Sequence, residues 1–224
     1  MNPSYAQIRA RIDAAAQAAG RAVRLLAVCK TQATAAIREL AAQGQRAFGE
    51  NRVQEALSKQ RELADLALEW HLIGPLQSKK CREAARHFDW VQSIDREKLI
   101  ESLNRFRPAD APPLNVLIQV NIDAETSKSG CAPEAVPVLA RTIAQFPRLR
   151  LRGLMAIPEP HPDPAQRRAA FARMRELLDA LRTDHADIDT LSMGMSDDFE
   201  LAIAEGATLV RIGTALFGAR PHPQ

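Results

Sequence analysis

The sequence predicts an α/β protein that folds as a single (β/α)8 (TIM) barrel with an extra N-terminal helix. Short apolar segments alternate with helix-like segments along the whole chain, and eight of the apolar segments have strand character. Parallel strands joined by helices need right-handed crossovers, and eight such units close into a barrel. The 224 residues lie near the lower end for this fold. We therefore expect short loops and one domain over residues 1–224.

The element order follows from the apolar runs, which are bounded by turn residues and charged stretches. After an amphipathic helix over residues 5–19, strands are predicted at residues 24–29, 46–49, 70–74, 90–94, 114–121, 151–157, 189–194 and 207–213. The alternation resumes after two Pro-rich stretches, which predicts loops there rather than domain borders. A doubly wound open sheet is the alternative. It would normally carry a Gly-rich first turn, and "CKTQAT" after the first strand offers none.

Composition argues against several classes of protein. The 30 basic residues are offset by 27 acidic ones and aromatic residues are only 4%, which disfavours a nucleic-acid binder. No signal peptide and no apolar run near the ~20 residues of a membrane span is present, so we expect a cytoplasmic protein that does not contact membranes. Cys29, Cys81 and Cys131 form no CxxC pair, and the histidines show no HxH or HxxxH spacing. We therefore expect reduced thiols and no metal site.

A lysine ends the first apolar run, "LLAVCKTQ" (25–32). The two-residue period of a strand places Leu26, Val28 and Lys30 on one face. If that face points into the barrel, the Lys30 amine emerges at the mouth formed by the C-terminal strand ends, where barrel proteins gather their functional groups. A solvent-facing lysine at a strand end is the alternative.

The last two strand ends, "SMGMSDDFE" (192–200) and "RIGTALFG" (211–218), predict a phosphate site. Ser196 is a suitable N-cap for a helix that begins at Asp197, and Gly213 lets backbone N–H groups approach an anion. Thr214 adds a hydroxyl donor. A capped helix and a tight turn without any ligand are the alternative for each motif.

Arg211 shares the inward parity of Leu209, and a buried guanidinium needs an acceptor. We expect either a carboxylate such as Glu50 or Asp123, or a ligand atom, to take that place. A structural ion pair is the alternative to a ligand contact.

Three further strand residues allow two interpretations each. Asn51 with Gln54 fits a capping box, which does not exclude contact between the Asn51 amide and a ligand. His71 on an apolar strand is more often a hydrogen-bonded core residue than a functional one. Met155 is most simply core packing, although near the barrel top it could cover a flat ligand face.

A lysine, a phosphate site and an inward arginine at one mouth suit a phosphorylated aldehyde. The amine would form a Schiff base with the aldehyde, and the arginine would contact a ring atom. The best-known cofactor with this chemistry is pyridoxal 5′-phosphate (PLP).

At these residues the sequence resembles the pyridoxal phosphate homeostasis protein family. The matching stretches run in order along the chain and include "LLAVCKTQ", "FGENRVQEAL", "WHLIGPLQSKK", "LRGLMAIPE" and "LSMGMSDDFELAIAEGATLVRIGTALFGAR". The resemblance implies a barrel similar to the N-terminal domain of alanine racemase, with PLP held on Lys30 as an internal aldimine. It also implies that phosphate binds at Ser196, Gly213 and Thr214, that Arg211 faces the pyridine nitrogen, and that the ring is lined by Asn51 and Met155.

The resemblance further implies a role in intracellular vitamin B6 homeostasis without established catalysis, with no catalytic or metal-binding residue. PLP-dependent apo-enzymes are the expected recipients, and we expect a monomer. The alternative is a PLP-dependent amino-acid racemase of low activity. Two-base racemisation needs an opposing acid or base, but the only tyrosine is Tyr5 in the first helix, and we expect no β-domain after Arg220. A barrel enzyme that forms a Schiff base with a phosphorylated sugar is a third possibility.

Overall fold

Eight parallel strands form the centre of the molecule in the computed structural model, which describes residues 4–125 and 128–218. They pair in sequence order, and the eighth strand closes the barrel on the first. The strands are β1 (Arg24–Val28), β2 (Ala47–Glu50), β3 (Glu69–Leu72), β4 (Trp90–Ile94), β5 (Leu114–Val120), β6 (Leu149–Ala156), β7 (Thr190–Ser192) and β8 (Leu209–Ile212). This topology confirms the predicted (β/α)8 barrel. The expectation that no β-domain follows Arg220 concerns a position outside the described residues.

Helices follow the strands and cover the outside of the barrel. They are α1 (Tyr5–Ala18), α2 (Thr34–Ala42), α3 (Val53–Glu62), α4 (Cys81–His87), α5 (Glu97–Phe106), α6 (Val136–Ala144), α7 (Pro164–Arg182), α8 (Phe199–Ala204) and α9 (Thr214–Phe217), with short 3-10 turns at Ser78–Lys80 and Pro133–Ala135. Within residues 4–125 and 128–218, we find no helix with the length and apolar character that a membrane crossing requires.

The extra N-terminal helix is confirmed as α1. Ser4 and Gln7 form a reciprocal capping box at its start, which satisfies two backbone N–H groups that have no partner within the helix. Its buried face carries Ile8 and Ile12. Arg11 donates from Nε to Glu200 Oε1 (3.0 Å) and from Nη2 to Glu200 Oε2 (2.9 Å). These contacts hold α1 against α8 at the outside of the barrel.

The alternation predicted for β1 is confirmed by the packing. Leu26 and Val28 belong to an apolar cluster inside the barrel, together with Ala47, Ile73 and Leu209. The outward-facing residues of the same segment lie in the larger core between the sheet and the helices: Leu25, Ala27 and Cys29. Leu26 and Val28 therefore face the barrel interior, and Lys30, two residues after Val28, follows them at the barrel mouth.

The end of β3 differs from its prediction, because the strand stops at Leu72 rather than at residue 74. Ile73 still donates its N–H to the Glu50 carbonyl oxygen (2.9 Å). The chain then passes so close to the neighbouring loop that a Cβ on Gly74 would lie 2.2 Å from the Asn51 carbonyl oxygen. Gly74 thus permits two loops to meet at the barrel mouth.

Candidate functional site

A cavity of about 680 Å³ opens at the C-terminal ends of the strands. Side chains or backbone from the segments after β1, β2, β3, β5, β6, β7 and β8 line it. Six of the seven residues that the sequence singles out lie in this lining: Lys30, Asn51, Ser196, Arg211, Gly213 and Thr214. The barrel therefore brings together groups that are up to 184 positions apart in the chain, counted from residue 30 to residue 214.

Met155, the seventh residue, differs from the expectation that it lines a ligand ring. Its side chain is fully buried and packs with Trp90 and Leu117 in the barrel interior. It is not among the residues that line the cavity. The position is inward-facing but enclosed by large neighbours, so the core-packing interpretation describes it.

Lys30 directly follows β1 and is half-buried in the cavity wall. The next residue, Thr31, has a left-handed backbone with φ 61°, a conformation that costs a non-glycine residue energy and persists only where neighbours enforce it. Here the Thr31 N–H donates to Glu55 Oε1 of α3 (2.6 Å), and its hydroxyl donates to the Lys30 carbonyl oxygen (2.6 Å). The backbone around Lys30 is thereby fastened to α3.

A buried charged group, here called the Lys59 cluster, lies beside this segment and comprises Lys59, Glu50, Glu55 and Cys29. Lys59 Nζ donates to Glu50 Oε1 (2.6 Å), Glu55 Oε1 (2.9 Å) and the Cys29 carbonyl oxygen (2.7 Å). Burial would lower the pKa of the ammonium, but its two carboxylate partners outweigh that and raise it. Burial raises the pKa of the Glu50 carboxyl despite the lysine. The cluster links β1, β2 and α3 next to Lys30.

Cys29 faces away from the cavity within this cluster. Its thiol donates to Glu50 Oε1 (3.1 Å), and the residue is completely buried. Burial raises the pKa of the thiol well above its ordinary value, and the neighbouring carboxylate raises it further. A thiol that stays protonated is a poor nucleophile, so the geometry favours a structural role for Cys29.

Arg211 points into the barrel as its parity predicts, but the expected carboxylate partner is wrong. Its Nη1 donates to Ser192 Oγ and its Nη2 to the Ala156 carbonyl oxygen, both at 2.7 Å. Glu50 is held by Lys59, and Asp123 accepts instead from Arg173 and from the Glu159 N–H. The guanidinium is therefore held by neutral oxygens. Burial lowers its pKa to about 10, so it remains a cation at neutral pH.

His71 is a hydrogen-bonded core residue, in line with the structural interpretation of its strand position. The ring is completely buried and stacks on Trp90 with centroids 5.1 Å apart. Its Nε2 lies 2.6 Å from Glu69 Oε1, and its Nδ1 lies 2.8 Å from Gln92 Nε2. Burial lowers the pKa of the imidazole.

The segment after β7 corrects the predicted role of Ser196 as a helix cap. Helix α8 begins only at Phe199, and no side chain caps it. Instead the Asp198 carboxylate accepts the Met195 N–H (2.7 Å) and so closes a local turn. This turn leaves Ser196 in the cavity lining. Burial raises the pKa of the Asp198 carboxyl.

Asn51 likewise does not form the predicted capping box with Gln54. Helix α3 begins at Val53, its N-cap position is Arg52, and no side chain caps the helix. The extra residue between the strand end and the helix places Asn51 at the mouth instead, where it lines the cavity.

The wall beside β1 is formed where β8, which pairs with β1, leads into the short helix α9. Gly213 occupies the N-cap position and Thr214 the first helical position. A Cβ on Gly213 would lie 3.3 Å from the Val28 carbonyl oxygen, which is tighter than most such contacts. The first N–H groups of a helix have no acceptor within it, so this wall offers backbone N–H groups and a hydroxyl to an anion.

The lining fits a phosphorylated aromatic aldehyde in charge and in polarity. Among the described lining residues, Lys30, Lys128 and Arg211 are cationic and Asp197 is the single carboxylate. Lys128 is paired with Glu125, a residue of the same loop. Apolar side chains lie between the polar groups, among them Ile73, Ile157 and Met195. A cavity that combines cations with apolar walls suits a flat ring with an anionic group.

Gln119 is a lining residue that the sequence does not identify. Its amide nitrogen donates to the Ser129 carbonyl oxygen (3.0 Å), whereas its Oε1 is buried and accepts no hydrogen bond from the described residues. A buried acceptor without a donor is costly. The inward parity of Gln119 on β5 is the signal that could have found it.

Among residues 4–125 and 128–218, no group of three or more His, Cys, Asp or Glu side chains is placed to hold a metal ion.

Comparison with known proteins gives consistent relatives. The family model of the alanine racemase N-terminal domain matches residues 4–221. The Pyridoxal phosphate homeostasis protein of Pseudomonas aeruginosa is 62% identical over 222 residues, covering 98% of this chain and 95% of that protein. Its counterpart from Escherichia coli K12 is 52% identical over 225 residues, covering 98% and 96%.

Solved structures agree with these sequences. PipY from Synechococcus elongatus PCC7942, solved with PLP bound, has a TM-score of 0.83 at 41% identity. The match covers 95% of this chain and 100% of PipY. Alanine racemase from Corynebacterium glutamicum has a TM-score of 0.69 at 21% identity, and 96% of this chain covers 61% of it. At that identity the likeness shows a shared fold alone.

Proposed function

The chain belongs to the pyridoxal phosphate homeostasis protein family, whose barrel is that of the alanine racemase N-terminal domain, and we propose that it holds PLP as a Schiff base on Lys30 for intracellular vitamin B6 homeostasis. The observation that carries the proposal is the convergence of Lys30, Arg211 and the Ser196, Gly213 and Thr214 wall on one cavity. The PLP-bound PipY structure supports the choice of ligand.

Each residue has a separate task in this proposal. Lys30 supplies the amine, and its position is fixed through Thr31 and α3. Ser196, Thr214 and the backbone at Gly213 bind the phosphate, while Arg211 donates to the ring nitrogen. Asn51 lines the ring, and Gln119 Oε1 accepts a hydrogen bond from the ligand or its hydration. When bound, PLP supplies an electrophilic aldehyde and an electron-withdrawing ring.

Two features support a holder of PLP over a PLP-dependent enzyme, the first against a racemase and the second against other reactions. Tyr5, the single tyrosine of the chain, lies in α1 with its hydroxyl 3.4 Å from Gln45 Oε1, and it does not line the cavity. An arginine opposite the ring nitrogen keeps that nitrogen unprotonated, because a guanidinium donates and does not accept. The ring would then be a poor electron sink, which disfavours transamination and decarboxylation.

The proposal extends to setting and partners. We place the protein in the cytoplasm as a monomer that passes PLP to PLP-dependent apo-enzymes. The free and buried state of Cys29, Cys81 and Cys131 is compatible with a reducing compartment.

The experiment is an absorption spectrum of the purified protein with PLP, followed by borohydride reduction and mass spectrometry of the peptides. We expect a visible Schiff-base band that disappears on reduction and a phosphopyridoxyl group on Lys30. The Lys30→Met variant should lose both, whereas Lys98→Met, which removes an exposed lysine on α5, should keep both. A colourless protein, or an adduct carried mainly by another lysine, would refute the assignment.

A further inference from the structure

A chain of hydrogen bonds runs through the barrel interior from Glu69 on β3 to Arg211 on β8. Its links are Glu69 to His71 (2.6 Å), His71 to Gln92 (2.8 Å), Gln92 to Ser192 (2.7 Å) and Ser192 to Arg211 (2.7 Å). The three middle residues are completely buried. None of them lines the cavity, and only Arg211 at the end of the chain does.

The two ends of the chain impose a single direction on all of its hydrogen bonds. An ionised carboxylate can only accept and a guanidinium can only donate. Burial would raise the pKa of Glu69, but its contacts with His71 and Arg24 outweigh this and lower it to about 2. The carboxylate is therefore ionised and must receive its hydrogen bond from His71 Nε2–H.

That choice propagates link by link towards Arg211. A neutral imidazole that donates from Nε2 must accept at Nδ1, so the Gln92 amide nitrogen donates to it. The Gln92 oxygen then faces Ser192 and accepts its hydroxyl hydrogen. With that hydrogen committed, Ser192 Oγ presents a lone pair to Arg211 Nη1. Each acceptor in the series is thus oriented by the group before it.

We propose that Glu69, His71, Gln92 and Ser192 are positioning residues that orient Arg211 towards the bound ligand without a direct carboxylate contact. The inference rests on the proposed function, since it assigns Arg211 to the ligand ring. A carboxylate in direct contact would neutralise the guanidinium and draw it away from the cavity. Ser192 holds Nη1 and the Ala156 carbonyl oxygen holds Nη2. The charge of Asp198 acts on the guanidinium from nearby, but no carboxylate hydrogen-bonds to it among the described residues, so the group can still donate to a ligand acceptor.

The test is a double-mutant cycle between Gln92→Met and Arg211→Met, read by the absorption band of bound PLP and by its Kd. In the wild-type background we expect Gln92→Met to shift the band and to weaken PLP binding by roughly three- to ten-fold. In the Arg211→Met background the same change should have no further effect on either quantity. An equal effect in both backgrounds, or no effect in the first, would overturn the inference.

A matched control separates positioning from general loss of packing. Leu117→Val removes buried volume from the same interior, where Leu117 packs with Trp90 and Met155, and it should leave the PLP band unchanged. If Gln92→Met does not fold, Ser192→Ala, which removes the hydroxyl from the chain, takes its place in the cycle. Ser192→Thr keeps a hydroxyl at this position and should show the wild-type band. A band shift in Leu117→Val equal to that of the chain variants would overturn the proposal.

The failure of the proposed function remains distinguishable in the same experiment. Wild-type protein that forms no PLP adduct on Lys30 would contradict the proposed function itself. Wild-type protein that binds PLP on Lys30, with chain variants of unchanged band and Kd, would contradict only the positioning role.

Discussion

Two polar networks lie beneath the cavity, and they differ in how their buried charged groups are stabilised. The Lys59 cluster, between the sheet and α3, places a full cation against two carboxylates at 2.6 and 2.9 Å. The chain from Glu69 to Arg211, inside the barrel, separates its two charges by three neutral side chains. The first supports the backbone of Lys30, and the second supports the guanidinium of Arg211.

The difference shows how each network relates to the ligand side of the molecule. In the Lys59 cluster the cation contacts two carboxylates and the Cys29 carbonyl oxygen and does not line the cavity, so the cluster acts by fixing the backbone of residues 29–31. In the interior chain the cationic end, Arg211, lines the cavity. This chain therefore sets the orientation of the guanidinium and also presents its positive charge to the cavity. Removing one member should therefore affect stability most in the cluster and ligand contact most in the chain.

The largest stability effect is expected from Lys59→Met. This change leaves Glu50, which is 0% exposed, without its cation, and an uncompensated buried charge costs about 3–5 kcal/mol of unfolding free energy. Urea unfolding measures the loss. The double variant Glu50→Gln with Lys59→Met should recover part of it, and Lys98→Met on the surface should change stability by less than about 0.5 kcal/mol. A loss below about 1 kcal/mol, as for an exposed ion pair, would contradict the expected cost of leaving Glu50 as an unpaired buried charge.

A smaller stability effect is expected from Gln92→Met. The change leaves one nitrogen of the His71 imidazole without its donor and the Ser192 hydroxyl hydrogen without its acceptor. We expect a cost of about 1–3 kcal/mol in total, because both groups are neutral. The same urea titration measures it, with Gln17→Met on the exposed face of α1 as the control. A loss as large as that of Lys59→Met would remove the distinction between the neutral and the charged network.

The interior chain should also make stability depend on acidity. Burial lowers the pKa of His71 below its usual 6.5, and Glu69 falls from 4.5 to about 2. Both groups bind fewer protons in the folded than in the unfolded state, so their contribution is complete above pH 6.5 and is lost as the pH falls. Each contributes at most about 1.4 kcal/mol per pH unit. His71→Gln should flatten the stability profile just below pH 6.5, and an unchanged slope would contradict this reading.

The smallest effect concerns thiol chemistry. All three cysteines are buried, and burial raises the pKa of each thiol, to about 11 for Cys81 and Cys131. A colorimetric disulfide reagent should react slowly with native protein and rapidly with three thiols in urea. Lys59→Met should accelerate only Cys29, as peptide mapping would show. Fast labelling of Cys29 in the wild type would mean that the cluster opens readily.

Much of the fold was accessible from the pattern of residues. Apolar runs separated by helix-like segments predicted all eight strands, and the two-residue period predicted the inward face of Leu26 and Val28. The capping roles of Ser196 and Asn51 were wrong, because α8 begins two residues later and α3 one residue later than the local signals indicate. Local propensity is weak where a loop is set by its contacts with neighbouring loops, as at Gly74 and Asn51.

The candidate site was predictable in its members but not in their partners. Strand-end position and parity are local properties, and they identified Lys30 and Arg211. Of the two acceptors expected for Arg211, a carboxylate or a ligand atom, the carboxylate was wrong. Glu50 is paired with a lysine nine residues further on in α3, and only the packed structure shows which acceptors are already occupied. For a similar reason Met155 was expected in the cavity lining and Gln119 was not identified, although Gln119 lines the cavity and Met155 does not. The depth of a residue within the barrel cannot be read from the sequence of one strand.

The sequence by itself determined the barrel, the inward lysine and the family, since all three depend on the order and period of residues along the chain. Only the tertiary structure decided how the buried charges are balanced. A charge finds its partner through distances between elements, and these are fixed when eight strands close with a particular register and helices dock on them. The cluster beneath Lys30 and the chain beneath Arg211 therefore appear only once the barrel has formed.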